Sequence, residues 1–474
     1  MTHCTTDLLI KPILLTASEF SNFKARIAAL DWGVLLESAD TAHIDSRWSI
    51  YSAQPIATLQ TFTNETQIVQ NQHHSVHNQD PFELLSTLRS TLFEDITTEQ
   101  YLPFTGGAVG YMAYELGYQI EQINNADKLQ GLDLPVMAFG FYDWALVYDN
   151  QDAQFYLLSH KSQNSDQNVE DLWLDRFDWL KEQCDQRSST PLFRLRESWS
   201  ANMDKLVYQA KFKRIQDYIL SGDCYQVNLA QRFEAAYQGD EYQAYQALFA
   251  DNKPPFGAFL RLPSQVILSL SPERFLKLNK GIVESKPIKG TRPRCENKRE
   301  DEVSRQALAD SPKDRAENLM IVDLLRNDIG RVCDAGSVRV PTLFAIESFP
   351  AVHHLVSTVL GKLAAHCSTE DLLRACFPGG SITGAPKIRA MEIIAELEPN
   401  KRHTYCGSIG YINGSGQMDM NIAIRTLICD NHRIYCWAGG GLVADSIFEQ
   451  EYQECFDKVS RILPCLSALN RNEV

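Results

Sequence analysis

Apolar residues recur along this chain with two periods, and each period predicts an element. From Asp204, Tyr208, Phe212, Ile215 and Ile219 fall at helical spacing until Gly222 ends the pattern, and Tyr225, Val227, Leu229 and Phe233 then occupy alternate positions. The segment reads as helix, turn and strand. Further on, 266–270, 281–283 and 433–437 read as strands, and 311–327 and 446–463 as helices. Residues 1–182 read as short strands, helices and turns, 183–203 as a polar linker, and 204–467 as a second region. The mixture is α+β and contains no internal repeat. His73, His74 and His77 lie in a polar stretch rich in Asn and Gln; a solvated loop accounts for them better than a metal site.

Composition narrows the picture. With 474 residues, 44% hydrophobic and 22% charged, the chain is ordinary globular material. Its 45 Lys and Arg against 60 Asp and Glu give a net charge of −15, which disfavours nonspecific binding to nucleic acid or anionic membrane. An anionic ligand would need locally clustered positive charge. Lys11-Pro12 interrupts the apolar N-terminal run, so no signal peptide is read. No stretch approaches the roughly 18 apolar residues of a membrane span. The twelve cysteines are scattered with no CxxC pair, as suits reduced thiols in the cytoplasm.

Several residues stand where chemistry could use them. Ser311-Pro312-Lys313-Asp314 combines a hydroxyl N-cap, a proline at the first helical position and an acid three residues after the cap, so a helix starts there. Glu317 then lies in line with Ile321, Leu324 and Leu325. A carboxylate so directed needs a partner, for which an ion pair with arginine is the commoner arrangement. In 446–463, Phe448, Tyr452, Cys455, Val459 and Ile462 form an apolar stripe bordered by Glu451, Glu454 and Lys458. Glu454 and Lys458 alone would be an ordinary i, i+4 pair. Two inward carboxylates on separate helices instead suit Mg2+, which takes few protein oxygens and leaves room for water and an anion.

The glycine-rich runs Phe377 to Pro386 and Ala438 to Gly441 offer backbone N–H groups to anions, although glycines also simply make turns. Lys289, in Pro287-Ile288-Lys289-Gly290-Thr291, becomes a nucleophile if desolvation or a neighbouring cation such as Lys286 or Arg292 lowers its pKa. A solvated surface lysine is the ordinary alternative.

From about residue 204 to 463 the chain closely resembles the chorismate-utilising enzymes. The resemblance is carried by Tyr225-Gln226-Val227-Asn228-Leu229, Ser271-Pro272-Glu273-Arg274-Phe275, Asp314-Arg315-Ala316-Glu317-Asn318, His354-Leu355-Val356-Ser357, the glycine-rich run at 379, Ile424-Arg425-Thr426, Ala438-Gly439-Gly440-Gly441 and Glu451-Tyr452-Gln453-Glu454. It implies two packed, largely antiparallel sheets with helices outside. It also implies Mg2+ on Glu317 and Glu454 with Glu451 as an outer acid. Tyr405, Arg425, the backbone of Gly439, Gly440 and Gly441, and Lys458 would hold the substrate carboxylates, with Gly290, Thr291 and His354 around the ring.

Water-using members carry a lysine base where this chain has Gln226, and anthranilate-forming members have a small residue where it has Lys289. The resemblance therefore implies amination at C4 of chorismate, for 4-aminobenzoate and folate synthesis, through a covalent Lys289 adduct at C2. Glu273, sixteen residues upstream, would be the acid/base. No cysteine-nucleophile elbow of a glutaminase is present, so ammonia is expected from a separate glutamine amidotransferase subunit. Leu35-Leu36-Glu37-Ser38 resembles a run that contributes to tryptophan binding, placing a possible tryptophan site at Leu36, Glu37 and Ser38. The alternatives are an anthranilate-forming enzyme and a non-catalytic tryptophan-binding homologue.

Overall fold

In a computed structural model, which describes residues 3–4, 7–39, 46–63, 65–93, 101–123, 129–162, 166–186, 190–348 and 352–469, the strands assemble into two sheets. Among these residues one sheet has 14 strands and the other 12, and their ladders are antiparallel. A single hydrophobic cluster takes buried side chains from both sheets, and helices pack against them. This is the expected α+β arrangement. No helix among the described residues is long and apolar enough to cross a membrane, and the cysteines from Cys184 to Cys465 are free thiols.

Both halves of the sequence enter both sheets. In the larger, Gly33–Glu37 pairs with Phe256–Arg261; in the smaller, Gly107–Met112 pairs with Ser408–Asn413. Within the polar run 183–203, residues 187–189 lie outside the described residues. Beyond them Arg194–Leu195 and Ser200–Ala201 are short strands on Gln226–Gln238, and Phe193, Leu195 and Met203 are buried.

The periodic segments fold as their patterns dictate, with three differences. Lys205–Leu220 is a helix capped by Asp204, whose Oδ1 accepts the Val207 N–H at 2.8 Å. Val227, Leu229 and Phe233 are buried in the strand that follows, but Tyr225 is 71% exposed. Its N–H bonds the Ala385 carbonyl just before the first ladder pair, so it lies outside the alternation. The helix read over 446–463 spans only Phe448–Val459, and a second, Leu463–Ala468, follows with Pro464 in its first turn, where the missing N–H is tolerated. The histidine stretch is not a loop: His73–His77 is a strand paired with Thr66–Gln70. Asn71 and Gln72 between them both take left-handed φ, +50° and +63°, as a two-residue hairpin turn requires. No group of three potential metal-ligating side chains occurs there or elsewhere among the described residues.

Candidate active site

A cavity of about 580 Å³ opens where strands of both sheets meet two helices, within the roughly 300–1,000 Å³ of small-molecule sites. Ile288–Pro293 brings Lys289, Gly290 and Thr291, and the neighbouring Val352–Lys362 brings His354. Gln226–Gln238 and Arg433–Leu442 bring Asn228, Gly439 and Gly441. The helix Pro312–Gly330, started by Ser311 whose Oγ accepts the Asp314 N–H at 3.3 Å, presents Glu317. Phe448–Val459 presents Glu451, Glu454 and Lys458, and Glu273, Tyr405 and Arg425 complete the wall.

Two expected residues are not on that wall. Gly440 lies behind it, where an added Cβ would fall 3.1 Å from Glu451 Oε2 and 3.3 Å from Glu454 Oε1. Gln226 is 1% exposed and packed under Gly441, and neither of its amide atoms has a hydrogen-bond partner among the described residues. It shares a strand face with Asn228, but its side chain lies against Gly441, where an added Cβ would collide with Gln226 Nε2.

Lys289 is half-buried and its Nζ donates to the Ser381 carbonyl at 2.8 Å. Loss of water lowers its pKa, Lys458 acts in the same direction, and Glu273 and Glu317 oppose them. Lys286 and Arg292, expected to be the depressing neighbours, are occupied by Glu347 at 3.1 Å and Asp314 at 2.8 Å. Glu273 is 6% exposed, and burial raises its pKa against the pull of Lys289 and a hydrogen bond from Ser381. An amine eased toward neutrality beside an acid eased toward protonation is the pairing that nucleophilic attack with leaving-group protonation needs. Gly290 has φ +82°, and a Cβ there would fall 2.8 Å from Asp314 Cγ and from Leu308 Cδ1, so only glycine lets Lys289 and Thr291 take these places. His354 Nδ1 and Thr291 Oγ1 share a hydrogen bond of 2.8 Å.

Five Lys and Arg side chains and six Asp and Glu side chains line the cavity. Positive charge is therefore clustered there but does not outnumber the acids. Lys458 is held by Glu454 at 2.7 Å and the Gly439 carbonyl at 2.6 Å, the pairing its i, i+4 spacing allows. Arg425 differs: it sits at φ +51°, is exposed to the cavity, and has no acidic partner among the described residues. A guanidinium so placed suits a carboxylate. Glu317 and Glu454 are the carboxylates that would hold Mg2+, which takes hard oxygen ligands, and a divalent cation would offset the acidic surplus. Glu451 is turned to the Ser446 hydroxyl at 2.6 Å, and burial with the Glu454 charge raises its pKa.

Trp437, which no motif marked, also lines the cavity, as do Asn228, Lys313 and Ser381, which lie in the quoted motifs without a role of their own. Trp437 stacks on Tyr405 at 6.3 Å and 11°. Ser381 sits in the glycine-rich run, where N–H donors were expected; its turn Gly380–Ile382 instead offers a carbonyl, to Lys289. A second cavity of about 430 Å³ is lined by Leu36, Glu37 and Ser38 among others. There Glu37 accepts bonds from Lys24 at 3.1 Å and Tyr51 at 3.0 Å, and the Ser38 hydroxyl donates to the Pro255 carbonyl at 2.7 Å.

Comparison with known proteins agrees with this geometry. Residues 34–464 match the family model described as chorismate binding enzyme. Aminodeoxychorismate synthase component 1 of Escherichia coli (strain K12) is 50% identical over 447 residues, 94% of this chain and 95% of that protein. Anthranilate synthase component 1 of Bacillus subtilis (strain 168) is 33% identical over 90% of this chain and 86% of its own length. The crystal structure of anthranilate synthase component I from Streptococcus pneumoniae TIGR4 superposes with a TM-score of 0.77 at 30% identity, covering 89% of this chain and 93% of that one. A match of this extent in sequence and fold places the chain in the chorismate-binding enzyme family.

Proposed function

We propose that the chain aminates chorismate at C4, giving 4-amino-4-deoxychorismate for 4-aminobenzoate and folate synthesis, with Lys289 as covalent nucleophile. The observation that carries this reading is Lys289 inside the cavity, its charge disfavoured by burial, beside the buried Glu273. The relatives named for aminodeoxychorismate synthesis support the same substrate and reaction.

In the first step the neutral Lys289 amine attacks C2, the ring double bond shifts, and the C4–O bond breaks as Glu273 gives its proton to the departing hydroxyl, which leaves as water. Ammonia then adds at C4, the double bond shifts back, and the C2–N bond breaks to return the neutral lysine. The new C4 ammonium passes its proton to the Glu273 carboxylate. Two easier displacements replace one hard one. Arg425 and Tyr405 hold the enolpyruvyl carboxylate, with the backbone of the 439–441 strand and Lys458 as further anion contacts, and Gly290, Thr291 and His354 bound the ring. Mg2+ on Glu317 and Glu454 would supply positive charge next to the ring carboxylate. Ammonia comes from a separate glutamine amidotransferase subunit in the cytoplasm. The cavity at Leu36, Glu37 and Ser38 takes tryptophan.

The test is to incubate the purified chain with chorismate, MgCl2 and ammonium and identify the product by mass spectrometry. The expected product is 4-amino-4-deoxychorismate without pyruvate. Release of anthranilate and pyruvate would move the chain to the anthranilate-forming branch, and absence of any turnover would favour a non-catalytic homologue. With chorismate but no ammonia, the intact wild-type protein should gain the mass of an adduct and Lys289→Ala should not.

A further inference from the structure

We infer that Arg402, which forms no part of the cavity wall, is a positioning residue for the nucleophile: it fixes the turn whose Ser381 carbonyl holds the Lys289 amine. The inference rests on Lys289 as the attacking group. A neutral amine that gives one N–H to a fixed carbonyl has its lone pair directed too, so the approach to the ring depends on where that carbonyl stands. Lys289 Nζ lies 2.8 Å from it.

The turn is held through its backbone. Gly379 and Gly380, which precede Ser381, bring no side chain to it, and of its own residues Ile382 alone is packed in the apolar core. On one side the Thr383 hydroxyl donates to the Gly379 carbonyl at 2.9 Å, and the Asn228 N–H donates to the Thr383 carbonyl at 2.9 Å. From behind, Arg402 Nη1 donates to the Ile382 carbonyl, next to Ser381, at 3.2 Å. The same guanidinium, 1% exposed, donates through Nη2 to the Asn228 carbonyl at 3.0 Å and grips Glu398 at 2.6 and 2.9 Å. Glu398 in turn accepts the Ala230 N–H at 2.8 Å, and the Tyr114 ring lies 4.6 Å below the guanidinium. One rigid fork therefore ties the strand Gln226–Gln238 to the turn.

Stability alone is a poor reason for this arrangement, because desolvating a buried ion pair costs about as much as the pairing returns. Orientation is what the planar fork supplies. A lysine at the same place is a point charge on a flexible stem and cannot reach Glu398, Asn228 and Ile382 together.

The test follows adduct formation by intact-protein mass spectrometry after mixing with chorismate and MgCl2, alongside steady-state rates with ammonium. In Arg402→Lys, adduct formation and kcat should fall about tenfold or more while KM for chorismate stays within about threefold, the pattern of a misaimed reacting group. A folded Arg402→Lys that forms adduct within about twofold of the wild-type rate, or whose loss lies in KM alone, overturns the inference. If that variant shows no cooperative melting, Thr383→Val removes the opposite tether of the same turn; about a threefold loss in kcat with KM unchanged is expected, and an unchanged adduct rate overturns the inference. Should the wild type itself form no adduct, it is the covalent role of Lys289 that fails first.

Discussion

Lys289 and Glu273 titrate as a couple, because no other charge acts on either as strongly as its partner does. The reactive form, neutral amine with protonated acid, carries the same one proton as the ion pair. Activity should therefore rise as pH takes the first proton from the couple and fall as it takes the second, giving a bell. Glu273→Gln removes the falling limb. The residual rate of adduct formation should then rise once with pH, at a lower midpoint than an ordinary lysine, since burial still disfavours the ammonium and the carboxylate that favoured it is gone. A bell retained in Glu273→Gln would remove Glu273 from the couple.

His160 gives a stability prediction of the opposite kind. It is buried against Phe93, neither ring nitrogen has a hydrogen-bond partner among the described residues, and burial lowers its pKa from 6.5 to about 4. The folded state keeps it neutral while the unfolded chain protonates below pH 6.5, so its contribution is present above that pH and is lost as pH falls toward 4. His160→Leu should gain on the wild type by about 1.4 kcal/mol per pH unit across that window, some 2 kcal/mol between pH 6.5 and 5, in urea unfolding. An equal difference at both pH values would show that His160 is not held neutral. Single residues were unevenly legible in the sequence. Lys289 stood in a motif, whereas Arg402 in Lys401-Arg402-His403 reads as a charged loop. Its burial is created by Glu398 one turn away and by Glu115 and Asn228, 287 and 174 residues distant, so no local period announces it.

At the level of elements, the two acid-bearing helices were legible because capping and periodicity are local. Ser311 and Pro312 start the first, and its phase turns Glu317 to the cavity with Ile321 and Leu325 buried below. The His73–His77 hairpin was not, since Asn71-Gln72 is a weaker turn signal than Asn-Gly, although both residues take the left-handed conformation. If Glu317 is a metal ligand, Glu317→Gln should raise the free Mg2+ needed for half-maximal activity by about tenfold or more. Ser311→Ala is the control: it loses about 1 kcal/mol of stability through its cap, with the Mg2+ dependence nearly unchanged. Titrations in a metal buffer separate the two. An unaltered requirement in Glu317→Gln would leave the acid without a metal role.

The chain reads as two regions in sequence but is joined through both sheets, because antiparallel neighbours need not be close in sequence. Gly33–Glu37 meets Phe256–Arg261 in five residue pairs and Gly107–Met112 meets Ser408–Asn413 in six. At even about 0.5 kcal/mol net per backbone bond, those eleven pairs approach the whole margin of an ordinary domain. The buried Arg89–Glu370 pair, at 2.8 Å, also spans the two regions, and stripping one partner from such a pair costs about 3–5 kcal/mol. Cutting the chain would further open two sheet edges to aggregation. The intact protein should therefore melt in one transition, and a fragment of residues 190–474 expressed alone should lack a cooperative melt and self-associate in size-exclusion chromatography. A monomeric fragment with its own sharp transition would show that the catalytic region carries its fold alone. The cavity would then need nothing from the first 182 residues, although Glu115 is what holds the Arg402 backbone N–H, at 2.7 Å.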